Sequence, residues 1–132
     1  MSSFTQCPPL VAIPPDYKLY EVQCDFEYHV GFEESIEIIR IPKGFISDGA
    51  SIPQFAWSLL GSPLGEYSAA AIVHDYCYRY QLYTRWRCDR IFLEAMQVLG
   101  VALWKRLTMF WAVRIFAFMA WNKYRKEMAK NG

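Results

Sequence analysis

The stretch that decides the fold is Ala69–Tyr80, which reads AAAIVHDYCYRY. Its apolar residues recur at helical spacing, and three consecutive alanines allow another backbone to approach closely. The apolar stripe consists of Ala69, Ala70, Ile72, Val73, Cys77 and Tyr80. Tyr83 and Thr84 interrupt this pattern, and Thr84 is a predicted N-cap for a second helix over 85–99, which Gly100 would end. We therefore expect two consecutive helices joined by a short turn.

The distribution of proline separates the two ends of the chain. All seven prolines lie before residue 64, which predicts strands and loops first and helices afterwards. Short apolar runs between Tyr17 and Ile41 are typical of two or three strands. The expected fold is α+β, with a small N-terminal antiparallel β layer packed on a core of about three helices. Its regions would be 1–45 (loop- and strand-rich), 46–64 (Pro/Gly loop), 65–100 (paired helices) and 101–132 (aromatic-rich C-terminal helix).

Composition limits the class of protein. The 132 residues are 54% hydrophobic and 20% charged, with a net charge of +1, which predicts one folded domain and excludes intrinsic disorder. A charge so close to zero argues against nucleic acid as a partner. The four cysteines form no CxxC pair, so a zinc knuckle is not expected. No secretory signal is predicted at the N-terminus, so we expect free thiols in a reducing cytoplasm.

The segment Leu107–Trp121 is ambiguous. It contains one charged residue, Arg114, among apolar and aromatic side chains. It falls short of the roughly 20 apolar residues that a bilayer span needs, and a charge near its middle disfavours lipid. Three interpretations stay open: a buried core helix, an interfacial helix with Trp and basic flanks, or a helix docked on another protein.

Two histidines are available for chemistry. His29 lies in the strand region and is interpreted as a surface or turn residue. His74 lies on the first helix, where Tyr78 follows one turn later on the same face. A neutral imidazole can take a proton from water when a carboxylate holds its other nitrogen. Asp89 would supply that carboxylate if the two helices pack antiparallel.

A cation site is a further hypothesis. Asp75 diverges from His74 by about 100° around the helix, so its carboxylate is directed elsewhere. In the loop before the helices, Gly49 permits a tight curve in which Asp48 and local carbonyls converge as oxygen ligands. Asp48, Asp75 and backbone oxygens would suit Ca²⁺ better than zinc. The alternative is that Asp48 only closes an Asx-turn or caps a helix.

Three blocks of this sequence resemble a known family. They are GFISDGASIP (44–53), AAIVHDYCY (70–78) and the segment Asp89–Met96, and they look like the domain-of-unknown-function family 1353. That family is common in bacteriophages and prophages, and the resemblance implies a phage origin without an established activity.

The same blocks resemble the prokaryotic phospholipases A2. Those enzymes carry a Ser-Asp-Gly-x-Ser calcium loop, a His-Asp-x-x-Tyr helix, and a second helix with Asp followed by Phe and Met. The resemblance implies that His74 is the general base on water and that Asp89 orients it. It also implies that Asp48, the Gly49 carbonyl and Asp75 hold Ca²⁺. Tyr78 and Ser51 are the matching substrate or support residues.

Two functions follow as expectations. The first is a Ca²⁺-dependent phospholipid or ester hydrolase used in phage entry or release, with the aromatic C-terminal segment against a phospholipid surface. The second is a non-enzymatic virion component of the tail or baseplate, in which the His/Asp cluster is structural. In that case the aromatic segment would dock on phage structural proteins. Either protein would be made in the host cytoplasm and could enter the virion.

Overall fold

The structure is a computed structural model that describes residues 3–4, 10–13, 19–31, 37–47 and 68–131. Its strands are β1 (Ser3–Phe4), β2 (Leu10–Ile13), β3 (Leu19–Val22), β4 (Phe26–His29), β5 (Ile38–Ile41) and β6 (Ile46–Ser47). Its helices are α1 (Ser68–Arg79), α2 (Arg85–Val98), α3 (Leu103–Phe116) and α4 (Phe118–Asn131). The order of strands before helices confirms the α+β class.

The strands form two three-stranded antiparallel sheets, with the orders β1-β4-β5 and β2-β3-β6. In the first sheet Phe26 lies opposite Ile41 and Tyr28 opposite Ile39. All four side chains are buried, as expected where alternate residues of a strand face a core. Beyond the sheets, the Val22 N–H donates to the Phe45 carbonyl at 2.9 Å. The Phe45 ring then meets α1 edge-on at Tyr76, with ring centroids 5.1 Å apart.

The two central helices begin and end as the local sequence dictates. The Thr84 side chain accepts a hydrogen bond from the Arg87 N–H at 3.2 Å, so it is the N-cap of α2. Gly100 has φ +80°, and its N–H donates to the Gln97 carbonyl at 3.0 Å. The predicted turn and stop signals are therefore confirmed, with the helix ending at Val98.

The C-terminal segment differs from the single helix expected. It forms two helices, α3 and α4, separated only by Ala117, whose backbone (φ −82°, ψ 0°) is helical in type. Hydrogen bonds continue through the junction, because Ala117 N–H donates to Val113 and Trp121 N–H donates to Ala117. Of α3, only Met109, Phe110 and Val113 are buried, so a fully buried core helix is excluded.

The N-terminal part also differs from expectation. In the described part of the chain, six strands in two sheets replace the two or three strands expected, and β1 and β2 lie before Tyr17, where the expected strands begin. These short strands alternate with prolines in the sequence. β1 pairs with the distant β4 and β2 with the next strand, β3, so antiparallel pairing rather than local apolar runs decides their conformation. Among the described helices, none is long and apolar enough to cross a membrane.

Candidate functional site

His74 of α1 and Asp89 of α2 meet between the two helices. The His74 Nε2 lies 2.6 Å from Asp89 Oδ1, and both residues are buried, with exposures of 1% and 0%. The turn at Thr84 brings α2 back along α1, so residues 15 positions apart become neighbours. The structure thus brings together the two residues predicted as base and orienting acid.

Tyr78 of α1 also contacts the Asp89 carboxylate. Its hydroxyl donates to Asp89 Oδ1 at 2.6 Å, and its ring centroid lies 4.3 Å from that of His74. Burial, and then the hydrogen bond to the carboxylate, raise the pKa of Tyr78, so the phenol stays protonated and remains a donor. Phe92 of α2 lies beside the imidazole with a centroid distance of 4.8 Å. The imidazole is therefore fixed by two rings and a charge-assisted hydrogen bond.

Two arginines that the sequence reasoning missed join this cluster. Arg114 of α3 donates from Nη1 to Asp89 Oδ2 at 2.7 Å. Arg85 donates from Nε to the Tyr78 hydroxyl at 3.1 Å and from Nη2 to the Val113 carbonyl at 2.9 Å. The signal for Arg114 was present, since it is the single charge in 107–121 and an isolated charge on an apolar helix usually has a buried partner.

The Asp89 carboxyl is ionised despite its burial. Burial alone would raise the pKa of Asp89. The hydrogen bond and the charge of His74, followed by the hydrogen bonds from Tyr78 and Arg114, lower the pKa by more than burial raises it. The net effect lowers the pKa below its ordinary value. A carboxylate with three donors can hold the ring in one orientation and stabilise a positive charge on it.

The other imidazole nitrogen, Nδ1, has a different environment. His74 Nδ1 is buried, and among the described residues no group hydrogen-bonds to it. With the proton on Nε2 facing Asp89, Nδ1 carries a lone pair; this tautomer is assigned from the hydrogen-bond network. A buried acceptor without a partner is uncommon because it loses its hydration on folding. The arrangement can therefore accept a proton or hydrogen bond from a bound molecule.

Asp75 faces a different set of residues, as the helix geometry predicted. Its exposure is 1%, and its Oδ1 accepts from the Tyr124 hydroxyl of α4 at 3.4 Å. Arg79, one turn later, places Nη2 3.9 Å from Asp75 Oδ2. This buried carboxylate has the hard oxygen donors that Ca²⁺ prefers.

The rest of the predicted cation site cannot be placed with it. Asp48, Gly49 and Ser51 lie outside the described residues. Within the described ranges, no three His, Cys, Asp or Glu residues gather as a metal-binding group. The Ca²⁺ site therefore stays a prediction in which Asp75 is the one ligand with a described environment.

Other polar features lie away from this cluster. His29 of β4 places Nε2 3.3 Å from Glu27 Oε1, so it is a strand residue with an acidic neighbour that the sequence reasoning overlooked. A surface cleft of about 580 Å³ is lined by Asp25, Phe26, Glu27, Arg40, Ile41, Pro42 and Tyr76. Neither His74 nor Asp89 lines this cleft, so the cleft is separate from the His74–Asp89 cluster.

Fold and site together define a class: an α+β domain whose paired helices hold a buried His–Asp–Tyr cluster that accepts hydrogen bonds from two arginines. The chain belongs to the family described as protein of unknown function DUF1353, whose model matches residues 20–113. It is 40% identical over 77 residues to the uncharacterized protein y4jT of Sinorhizobium fredii (strain NBRC 101917 / NGR234). That match covers 58% of this chain and 23% of the relative, so the chain spans under a quarter of that protein. No solved structure matches the chain.

Proposed function

We propose that the chain is a hydrolase of carboxylic esters, with phospholipid as the substrate class and His74 as the general base. The observation that carries the proposal is the asymmetry of the imidazole. Its Nε2 is held by an ionised carboxylate, whereas Nδ1 is buried with no hydrogen-bond partner among the described residues. A buried His–Asp pair of this kind is the arrangement that activates a water molecule.

The proposed reaction uses Nδ1 directly. It removes a proton from water while the water oxygen attacks the ester carbonyl carbon, and the ring becomes imidazolium. The tetrahedral intermediate then collapses, the bond to the leaving alkoxide breaks, and the imidazolium returns its proton to that oxygen. Asp89 stabilises the imidazolium through Oδ1, while Arg114 fixes the carboxylate through Oδ2.

Ca²⁺ is part of the proposal. Asp75, with Asp48 and the Gly49 carbonyl, would hold the ion, whose chemistry when bound is to polarise the ester carbonyl. Asp75 fits this role because it is a buried carboxylate that directly follows the proposed base, His74, in the sequence. Its neighbour Arg79 competes for the same carboxylate, which favours a weak site over a tight one.

The test combines binding with turnover. The wild-type protein is titrated with Ca²⁺ by calorimetry, and fatty-acid release is measured on mixed phosphatidylcholine and phosphatidylglycerol vesicles. We expect His74→Ala to lower the rate by about 10²-fold or more, the typical contribution of a general base. His29→Ala is the matched control and should leave the rate unchanged. Asp75→Asn should weaken Ca²⁺ binding.

Two results would contradict the hydrolase. One is absence of fatty-acid release by the folded wild-type protein at millimolar Ca²⁺. The other is release that persists in His74→Ala, which would assign the reaction to another site or protein. Circular dichroism of each variant separates loss of chemistry from loss of folding.

A second candidate is a non-enzymatic phage protein, and a specific observation favours it. Arg114 and Arg85 extend the cluster from α1 and α2 to the backbone and side chains of α3, as a structural clamp would. Such a protein would be made in the host cytoplasm and assembled into the virion through phage structural proteins. Stable co-purification of the chain with virions, together with an inactive wild-type protein, would support this function.

A further inference from the structure

Helix α3 presents an apolar face to solvent. Leu103, Leu107, Trp111 and Ile115 follow one another at intervals of four residues, so they share one side of the helix. Trp104 lies on the same side. The five residues form the α3 face, and Leu103, Trp104, Trp111 and Ile115 are each 57–59% exposed. Isolated exposed apolar residues are ordinary, but a contiguous row that includes two tryptophans marks an interaction surface.

The α3 face needs no polar partner. Among its polar neighbours, Thr108 donates its hydroxyl to the Trp104 carbonyl at 2.6 Å within the helix, and the Lys105 ammonium lies 5.9 Å from the centroid of the Trp104 ring. The charge that argued against lipid at the sequence level is turned away, because Arg114 reaches inward to Asp89. The surface is therefore suited to an apolar medium without directional hydrogen bonds.

Basic groups lie next to this surface. Between residues 103 and 131 the chain has seven Lys and Arg residues and one acidic residue, Glu127. Lys123, Lys126 and Lys130 line a shallow groove of about 440 Å³ on α4, together with Met119, Asn122 and Glu127. Phe118 (49% exposed) and Met119 (70% exposed) lie in sequence between the α3 face and these lysines, and Met119 also lines the groove. Exposed apolar side chains therefore follow the chain from the α3 face, across the α3–α4 junction, to the cationic groove.

We propose that the α3 face and the lysine groove together bind the surface of a bilayer that contains anionic lipids. Trp and Leu side chains would enter the boundary between headgroups and acyl chains, while the lysines pair with phosphate. The excess of positive charge between residues 103 and 131 is complementary to such a membrane and is hidden in the overall charge of +1. This inference does not depend on hydrolysis, since these residues lie outside the His74 cluster.

The experiment is co-sedimentation of the full chain with vesicles of phosphatidylcholine alone or with 30% phosphatidylglycerol added, in EDTA so that no calcium-dependent step contributes. We expect binding to the anionic vesicles that weakens with increasing salt. Trp111→Ser/Ile115→Ser should lower the partition coefficient at least tenfold. Its control is Leu82→Ser/Ile46→Ser, which changes exposed apolar residues elsewhere and should bind normally.

Charge is tested separately. Lys126→Gln/Lys130→Gln should weaken binding several-fold, whereas Lys43→Gln/Arg90→Gln, which removes the same charge elsewhere, should have a smaller effect. Equal binding to neutral and anionic vesicles, or no binding to either, would overturn the proposal. So would a concentration-dependent dimer that is lost in Trp111→Ser/Ile115→Ser without vesicle binding, because a second copy would then cover the face. His74→Ala should bind vesicles normally even where it abolishes hydrolysis, so the two proposals fail independently.

Discussion

The most direct perturbation of the buried cluster is Asp89→Asn. The substitution keeps the size of the side chain but removes the negative charge of the carboxylate, which accepts hydrogen bonds from His74, Tyr78 and Arg114. It also places an amide donor where at least one of these donors now points. Arg114, whose side chain is 24% exposed, would lose its ion pair with a fully buried partner.

The expected cost is large for a single substitution. Breaking a buried ion pair by removing one partner costs about 3–5 kcal/mol, because the remaining charge is left without compensation. With an unfolding entropy of about 2.1 cal/mol/K per residue, that loss lowers the Tm of a chain of this size by roughly 10–18 °C. Since domains of this kind are stable by about 5–15 kcal/mol in total, the variant should fold but only marginally.

The assay is urea unfolding followed by circular dichroism, with Glu37→Gln as the matched control. Glu37 pairs with Arg87 on the surface, where both side chains are more than 40% exposed. An exposed pair contributes no more than about 1 kcal/mol, so the same acid-to-amide change should be nearly neutral there. If Asp89→Asn also costs less than 1 kcal/mol, the Asp89 cluster does not hold the helices together by charge and our interpretation of it is wrong.

Three further predictions concern pH, thiol reactivity and capping. Because the pKa of Asp89 is lowered on folding, its ionised carboxylate contributes stability above the ordinary value of 3.8, and this contribution is lost as the pH falls through the folded-state pKa. The difference in unfolding free energy between wild type and Asp89→Asn should therefore shrink in urea titrations at acid pH. A difference that stays constant with pH would contradict this prediction. The hydrogen bond with Cys88, and then burial, raise the pKa of the Cys77 thiol. Iodoacetamide at pH 7 should therefore alkylate the half-buried Cys24 well before Cys77. Equal labelling of the two cysteines, measured by mass spectrometry, would refute this prediction. Thr84→Ala should destabilise the protein by about 1 kcal/mol through loss of the N-cap, whereas Thr108→Ala on the exposed side of α3 should cost less; equal urea midpoints for the two variants would show that the cap contributes little.

Local chemistry made α1 and α2 predictable. The apolar stripe of Ala69–Tyr80, the capping threonine and the glycine stop act within a few residues, so sequence alone places both helices and the turn between them. That turn forces the helices back on each other, and the pairing of His74 with Asp89 follows. The spacing of His74 and Tyr78, one helical turn apart, similarly places both on the face towards α2.

Tertiary packing decided what the sequence left open. Arg114 was interpreted as a charge that disfavours lipid, yet it reaches Asp89 from 25 positions away. Its isolation indicated a buried partner, but no local pattern identifies which residue that partner is. The strand β1 is likewise fixed by a distant partner, since Ser3 lies opposite His29 in the sheet. Burial in three dimensions excluded one interpretation of 107–121, the fully buried helix. The same apolar residues suit a core or a surface, and the position of the neighbouring helices leaves Trp111 and Ile115 exposed. Sequence determined α1, α2 and the His–Asp pair because short-range hydrogen bonding and periodicity act locally. The partners of that pair and the exposed apolar face were decided by packing, because contact and burial depend on residues far apart in the chain.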